Sequence, residues 1–277
     1  MTPDEYCQNK SAQSGSSFYY SFLFLPKERR RAITALYAFC REVDDAVDDP
    51  AEASVAQAKL AWWRAEVAQL YAGNPQHPVT RALAPLLEPF DIGRARLEDI
   101  MDGMEMDLLQ SRYLDYANLQ VYCHRVAGVV GILAAGIFGY RNTHTLEYAA
   151  KLGLAFQLTN IIRDVGEDAR KNRIYLPMDD MKRFNVTAAD ILNARQTDNF
   201  GQLMAFQGER AQRCYDEAMA LLPPEDRRTQ RTGLIMAAIY RTLLDEIAAD
   251  GYQVLKQRTA LPPLRKLWLA WKTWISN

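Results

Sequence analysis

Apolar residues in this chain recur at three- and four-residue spacing through most of its length, as in RRAITALYAFCREV at 30–43 and FQLTNIIRDVGEDARK at 156–171. No convincing run alternates polar and apolar residues between turn signals, so the pattern is helical and not strand-like. A chain patterned this way buries its apolar surface by packing helix on helix, which predicts an all-α fold. Prolines at 26, 50, 78, 177, 223 and 262 fall near the ends of the periodic segments, where they stop a helix or open one. The spacing predicts helices over roughly 27–48, 52–72, 79–88, 94–110, 115–139, 145–171, 200–221, 226–249 and 263–275, each with an uncertainty of ~2–4 residues at its ends. No Gly/Ser-rich or Pro-rich linker divides them, so residues 1–277, 49% of them hydrophobic, are expected to form one domain.

Several classes of function are disfavoured at this level. A formal net charge of -1 offers no basic face for a nucleic acid. Cys7, Cys40, Cys123 and Cys214 are far apart and form no CxxC pair, which suggests neither a disulfide framework nor a zinc site and fits a reduced, cytoplasmic protein. The opening MTPDEYCQNK is acidic where a signal peptide is basic, so export is not expected. The longest apolar run, VAGVVGILAAGIFG at 126–139, is shorter than the ~20 residues of a membrane span and reads as a buried helix. His77, His124 and His144 are scattered without ligand spacing, and no catalytic triad, P-loop or GxGxxG turn is present.

One short stretch, CREVDDAVDDP at 40–50, crowds four carboxylates into six positions of an otherwise amphipathic helix. Residues four apart share a helix face, and at ~100° per residue Tyr37, Arg41, Asp44 and Asp48 fall within about 60° of one another. Asp45 and Asp49 point elsewhere. The second long segment repeats the construction: Gln157, Asn160, Asp164 and Asp168 align within roughly 80°, while Leu158, Ile161, Ile162 and Val165 supply the packing side. A single acidic stripe is most often a solvated helix face. Two of them, each with an arginine and an amide or phenol in register inside apolar surroundings, predict two facing walls of a cavity.

Magnesium takes oxygen ligands and is held by one or two carboxylates, with waters and phosphates completing its shell. Two walls of aspartates therefore describe a clamp for a diphosphate, in which repulsion between like charges is relieved by cations lying between them. Arg41, Arg163, Lys171 and Arg173 are near enough in sequence to address the diphosphate oxygens.

With these residues in view, the chain resembles the squalene/phytoene synthase family, the head-to-head trans-isoprenyl diphosphate synthases. The likeness rests on SGSSFYYSFLFLP at 14–26, ALYAFCREVDDAVDD at 35–49, YCHRVAGVVG at 122–131 and AFQLTNIIRDVGEDARKNRIYLP at 155–177. MTPDEYC, GMEMDL at 103–108 and the PLRKLWLAWKTW ending point, within the family, to the bacterial enzymes that make presqualene diphosphate for hopanoids. The resemblance implies a type I isoprenoid synthase fold: a helical bundle around a deep cavity, with the acidic motifs facing each other near its mouth. It implies Mg²⁺ as cofactor, held by Asp44, Asp48, Asn160, Asp164 and Asp168. It implies substrate contacts at Ser14, Gly15, Ser16, Ser17, Tyr37, Arg41, Gln157, Arg163 and Tyr240.

The implied reaction joins two molecules of farnesyl diphosphate into presqualene diphosphate. An allylic cation formed on the way must be kept from water, and Phe18, Phe22, Tyr37, Phe156 and Tyr240 are candidate aromatic walls, although aromatic residues at helical spacing are often plain core. Phytoene synthesis from geranylgeranyl diphosphate is the alternative on the same scaffold. A head-to-tail prenyltransferase is disfavoured because its second DDxxD is missing: Val165 follows Asp164. A catalytically inactive helical binding or assembly factor is the alternative from another class, and the intact aspartates speak against it. The ending PLRKLWLAWKTWISN aligns Leu264, Leu267, Trp268, Trp271 and Ile275 on one side of a helix, which either caps the core or rests peripherally on the inner face of the membrane. Association with downstream pathway enzymes is a further expectation.

Overall fold

The computed structural model describes residues 1–13, 21–22, 24–48 and 52–276. Twelve helices account for the described architecture: α1 Pro3–Gln13, α2 Lys27–Asp48, α3 Ala53–Tyr71, α4 Pro78–Leu83, α5 Arg94–Leu109, α6 Tyr116–Phe138, α7 His144–Arg170, α8 Met178–Arg183, α9 Ala188–Leu192, α10 Asp198–Leu221, α11 Arg231–Ala249 and α12 Pro263–Ser276. Among the described residues the only β-type pairing is an isolated parallel bridge between Arg112 and Ile174. The ends follow capping chemistry. Asp115 and Thr197 accept the backbone N–H groups of Asn118 and Phe200 at the starts of α6 and α10, and Thr187 forms a capping box with Asp190 at α9.

Two apolar cores are built side by side. One unites α2, α3, α4 and α5 with the distal half of α6, through Phe39, Trp63, Ile100 and Leu133; the other unites the proximal half of α6 with α7, α10 and α11, through Leu119, Leu158, Phe200 and Ile239. Val126 packs against both. α6 is 23 residues long with a mean hydropathy of 1.7 over its most apolar stretch, so as a continuous helix it does have the length and composition to cross a membrane. That corrects the expectation drawn from the shorter 126–139 run. In this fold α6 instead lies between the two cores.

The glycines of VAGVVG set how closely α6 approaches α7. A Cβ on Gly131 would lie 2.3 Å from the Ala149 carbonyl oxygen, and one on Gly153 would lie 2.3 Å from that of Ala127. The two backbones therefore notch into each other. Within this contact, His124–Gly128 forms a π-helical turn, the kind of local widening that re-aims side chains.

Three helices escape the periodicity. α1 buries only Cys7 and Ser11, and α8 and α9 span six and five residues, too short to show a period. The expected helix over 226–249 begins at Arg231 because Pro224–Asp226 forms a 3₁₀ turn. The buried Asp226 carboxylate there accepts the Arg141 and Asn142 N–H groups at 2.8 and 2.9 Å and the Thr145 hydroxyl at 2.7 Å, capping the entry to α7.

Substituting Gly131→Val should destabilise the protein by about 2–3 kcal/mol or more, since a backbone carbonyl and not a pliable side chain blocks the new methyls. Gly201→Ala, on an open surface of α10, should leave stability nearly unchanged. Thermal melts of the two variants test the notch.

Candidate active site

The inward faces of α2 and α7 meet across a polar cavity of about 1720 Å³, including its open mouth. Its walls include Tyr37, Arg41, Asp44 and Asp48 from α2, and Gln157, Asn160, Arg163, Asp164 and Asp168 from α7, together with Lys171 and Tyr240. The structure thus brings both predicted stripes to one place. Arg173 joins them by contact: its Nη1 donates to Asp48 Oδ1 at 2.6 Å, and Lys171 Nζ donates to the other oxygen at 2.9 Å. Cations that follow α7 therefore clasp an aspartate of α2 directly. Asp45, expected to point elsewhere, pairs with Lys10 at 2.8 Å and Arg41 at 2.6 Å and does not line the cavity. Ser14, Gly15, Ser16, Ser17 and Phe18 lie outside the described residues, as does Asp49.

Below the acids the cavity continues into an apolar chamber of about 990 Å³, its open end included, sharing Tyr37, Cys40, Val126, Gln157 and Asn160 with the polar part. Phe22, Leu36, Val130, Leu152 and Phe156 are among its walls, and Phe138 and Tyr148 lie at its far end. From Asn160 to Tyr148 along α7 is twelve residues, about 18 Å at 1.5 Å per residue. Such a chamber accepts a linear hydrocarbon chain of several isoprene units. Of the predicted aromatic walls, Phe22, Tyr37 and Phe156 face this chamber and Tyr240 the polar part.

The electrostatics divide the acids into two kinds. Burial raises the pKa of every one, but for Asp48 the bonds and charges of Lys171 and Arg173 outweigh it, and the carboxyl ends below its ordinary value. Asp164 is lowered likewise, since Arg163 holds both of its oxygens at 2.7 and 2.5 Å and Arg258 adds a bond at 2.8 Å. Asp44 goes the other way. Burial lifts it to about 6 against the pull of Arg41, helped by Asp48, Asp45 and Asp107. Asp168 is pushed up to about 7 by burial and then by Asp164 and Asp107. Among the described residues no side chain pairs with it.

Sequence reasoning missed three groups. Arg258, from the segment leading into α12, and Lys266, in the first turns of that helix, line the polar cavity, and no periodic relation connects them to the acids. Asp107, from α5, accepts hydrogen bonds from the hydroxyls of Tyr122 at 2.9 Å and Tyr175 at 2.8 Å. Burial raises it to about 6.

Two acid-lined helix faces over an apolar chamber have close counterparts. The model of the squalene/phytoene synthase family matches residues 11–265. The chain belongs to the squalene/phytoene synthase family. It is 38% identical to a phytoene synthase of Arthrospira platensis, over 95% of this chain and 89% of that protein. It is 35% identical to a 15-cis-phytoene synthase of Synechocystis, over 95% and 82%. Among solved structures, a ligand-bound dehydrosqualene synthase superposes with a TM-score of 0.86 at 29% identity, covering 98% of this chain and 95% of that one. A squalene synthase of Alicyclobacillus acidocaldarius superposes with a TM-score of 0.79 at 28% identity, covering 90% and 94%. The fold is therefore of the squalene-synthase type, as expected, and the family is one of prenyltransferases.

The raised acid in the cavity carries a stability consequence. The Asp168 carboxyl titrates near 7 in the folded protein and at its ordinary 3.8 when unfolded. Between those values the folded state holds the extra proton, so this group's contribution falls as pH rises through that window and is destabilising above it. In metal-free protein, Asp168→Asn should raise the Tm by about 7 °C at pH 8 and leave it nearly unchanged near pH 4, measured by calorimetry in chelator.

Proposed function

We propose that this chain, acting as a single catalytic unit over 1–277, condenses two allylic prenyl diphosphates head to head, with loss of diphosphate. The observation that carries this is the clasp of Lys171 and Arg173 on Asp48, which brings acids and cations from opposite walls together in a polar cavity that leads into an apolar chamber. On chain length, the relatives named phytoene synthases favour geranylgeranyl diphosphate and phytoene over the farnesyl diphosphate and presqualene diphosphate expected from the sequence. The dehydrosqualene and squalene synthases among the similar structures keep the shorter substrate as the second reading.

The walls fit a divalent cation. Asn160 Oδ1 is buried without a hydrogen-bond partner, and Asp168 adds an unpaired carboxylate two turns along the same face. Among the described residues no three carboxylates, histidines or cysteines converge closely enough to hold a metal ion unaided. That suits Mg²⁺, which needs few protein ligands when phosphate oxygens complete its shell. Asp44 and Asp48 on one wall, and Asn160, Asp164 and Asp168 on the other, are the proposed ligands. A divalent cation held by these residues would supply the positive charge that offsets the diphosphate as the allylic C–O bond ionises.

The chain's own side chains supply the rest. Arg41, Arg163, Lys171 and Arg173, now paired to the aspartates, are the cations available to diphosphate oxygens once the acids turn to metal. Gln157 sits where the polar and apolar parts join and orients the diphosphate end. Tyr37, Phe22, Phe156 and Tyr240 line the cavity where their aromatic rings can stabilise the carbon that becomes positive, and the apolar walls exclude water.

Incubation with each prenyl diphosphate, with and without Mg²⁺, followed by mass analysis, tests the reading. Phytoene from geranylgeranyl diphosphate is expected, and a cyclopropyl C30 diphosphate formed instead from farnesyl diphosphate would restore the shorter substrate. Asp44→Ala and Asp164→Ala should each lower turnover by on the order of 10²–10³-fold. Full activity in both removes the acids from the chemistry.

The lipophilic substrates also bear on α12. Its inner edge packs by Ala270 and by Trp274, whose ring stacks on Phe24 at 5.1 Å. Its outer face exposes Leu264, Leu267, Trp268, Trp271 and Ile275, beside Arg265 and Lys272 and with no acidic residue in the helix. We infer a peripheral contact with an anionic membrane at the cytoplasmic face, next to the mouth that Lys266 lines. Co-sedimentation with vesicles rich in anionic phospholipid should fall about tenfold or more in a Trp268→Ala, Trp271→Ala double variant. Equal binding by wild type and variant contradicts the contact.

A further inference from the structure

A half-buried carboxylate outside both acidic motifs ties α5 to α6 and to the segment that follows α7. Gly103 lets α5 approach α6 so closely that a Cβ there would lie 2.7 Å from Val126 Cγ1, and one turn further on Asp107 reaches Tyr122. Each Asp107 oxygen takes one phenol: Oδ2 accepts from Tyr122, which lines the polar cavity, and Oδ1 from Tyr175. The two rings stack at 5.2 Å with 26° between their planes, and Tyr113 stacks on Tyr175 at 5.7 Å. Tyr175 belongs to the segment after α7 that also carries Lys171 and Arg173 onto Asp48. Backbone bonds from Ile174 N–H to Ser111 and from Met178 N–H to Tyr113 dock this segment along the chain that follows α5.

We propose that Asp107 is a positioning residue of the cavity: through its bond to the Tyr175 hydroxyl it fixes the 171–176 segment so that Lys171 and Arg173 present their charges to the diphosphate site. The inference rests on the proposed function for the identity of that ligand. A merely structural Asp107 would stabilise the fold without altering what the cavity binds. A positioning Asp107 has a separate signature, because losing it leaves the cations present but misdirected.

Calorimetric titration with inorganic pyrophosphate in Mg²⁺, which needs no turnover, separates these roles when combined with a double-mutant cycle. Wild type should bind. Tyr175→Phe, which removes only a hydroxyl, should weaken pyrophosphate by about 10- to 100-fold, the range seen when a group that orients a binding side chain is lost. Asp107→Asn should weaken it similarly, and the two changes together should cost no more than the larger alone, since both break one connection. Asp107→Glu should recover part of the affinity. Unchanged pyrophosphate affinity in Tyr175→Phe, or fully additive losses in the cycle, overturns the inference. Should Asp107→Asn not fold, Tyr175→Phe still decides the matter alone. Failure of the wild type to bind pyrophosphate with Mg²⁺ instead counts against the proposed function itself.

Discussion

Repulsion among four aspartates that line one cavity and a fifth bonded to its wall through Tyr122 is the constraint that organises this molecule. Asp48 and Asp107 raise the pKa of Asp44, and Asp164 and Asp107 raise that of Asp168, because like charges partly withdrawn from solvent interact strongly. The fold answers with internal cations drawn from separate segments: Arg41 for Asp44, Lys171 and Arg173 for Asp48, Arg163 and Arg258 for Asp164. The compensation is incomplete. Among the described residues Asp168 stays unpaired, with its pKa raised to about 7, and the Asn160 oxygen two turns back along α7 has no donor. A site left short of positive charge is suited to receive it from outside.

The apolar half of the molecule answers a different demand. An allylic cation survives only where water is kept away, and the chamber below the acids is walled by Leu36, Val130, Leu152 and Phe156. Its shape depends on α6 and α7, which approach through the reciprocal Gly131 and Gly153 contacts, the second of them at Ala127 within the π-helical turn. With one core on either side, the cavity is the seam between two packed halves, and Val126 touches both. Helices supply rigid walls for such a seam, and the polar neck is made by residues four apart on two of them.

Much of this was legible before any coordinates. The long helices, the all-α class and the two stripes follow from periodicity, because a face that carries Tyr37, Arg41, Asp44 and Asp48 together is a local property of one helix. The short α8 and α9 and the polar α1 were not legible, since five or six residues show no period and α1 buries almost nothing. Connections between distant segments were hidden for a related reason. Asp107 meets its phenols 15 and 68 residues away, and Arg258 meets Asp164 across 94. No spacing rule spans such intervals. The sequence pointed to farnesyl diphosphate, with geranylgeranyl diphosphate as the alternative, but chain length depends on where Phe138 and Tyr148 end the chamber, a tertiary property that no spacing reports.

The most direct test is to place the ligand and look. A crystal soaked with Mn²⁺ and a non-ionising thiodiphosphate analogue of the prenyl substrate should show anomalous density between the α2 and α7 aspartates. Manganese peaks there, with the hydrocarbon tail running past Gln157 towards Phe138, are the predicted result. Manganese confined to the outer surface, or an analogue bound with its diphosphate away from Asp44 and Asp164, contradicts the account.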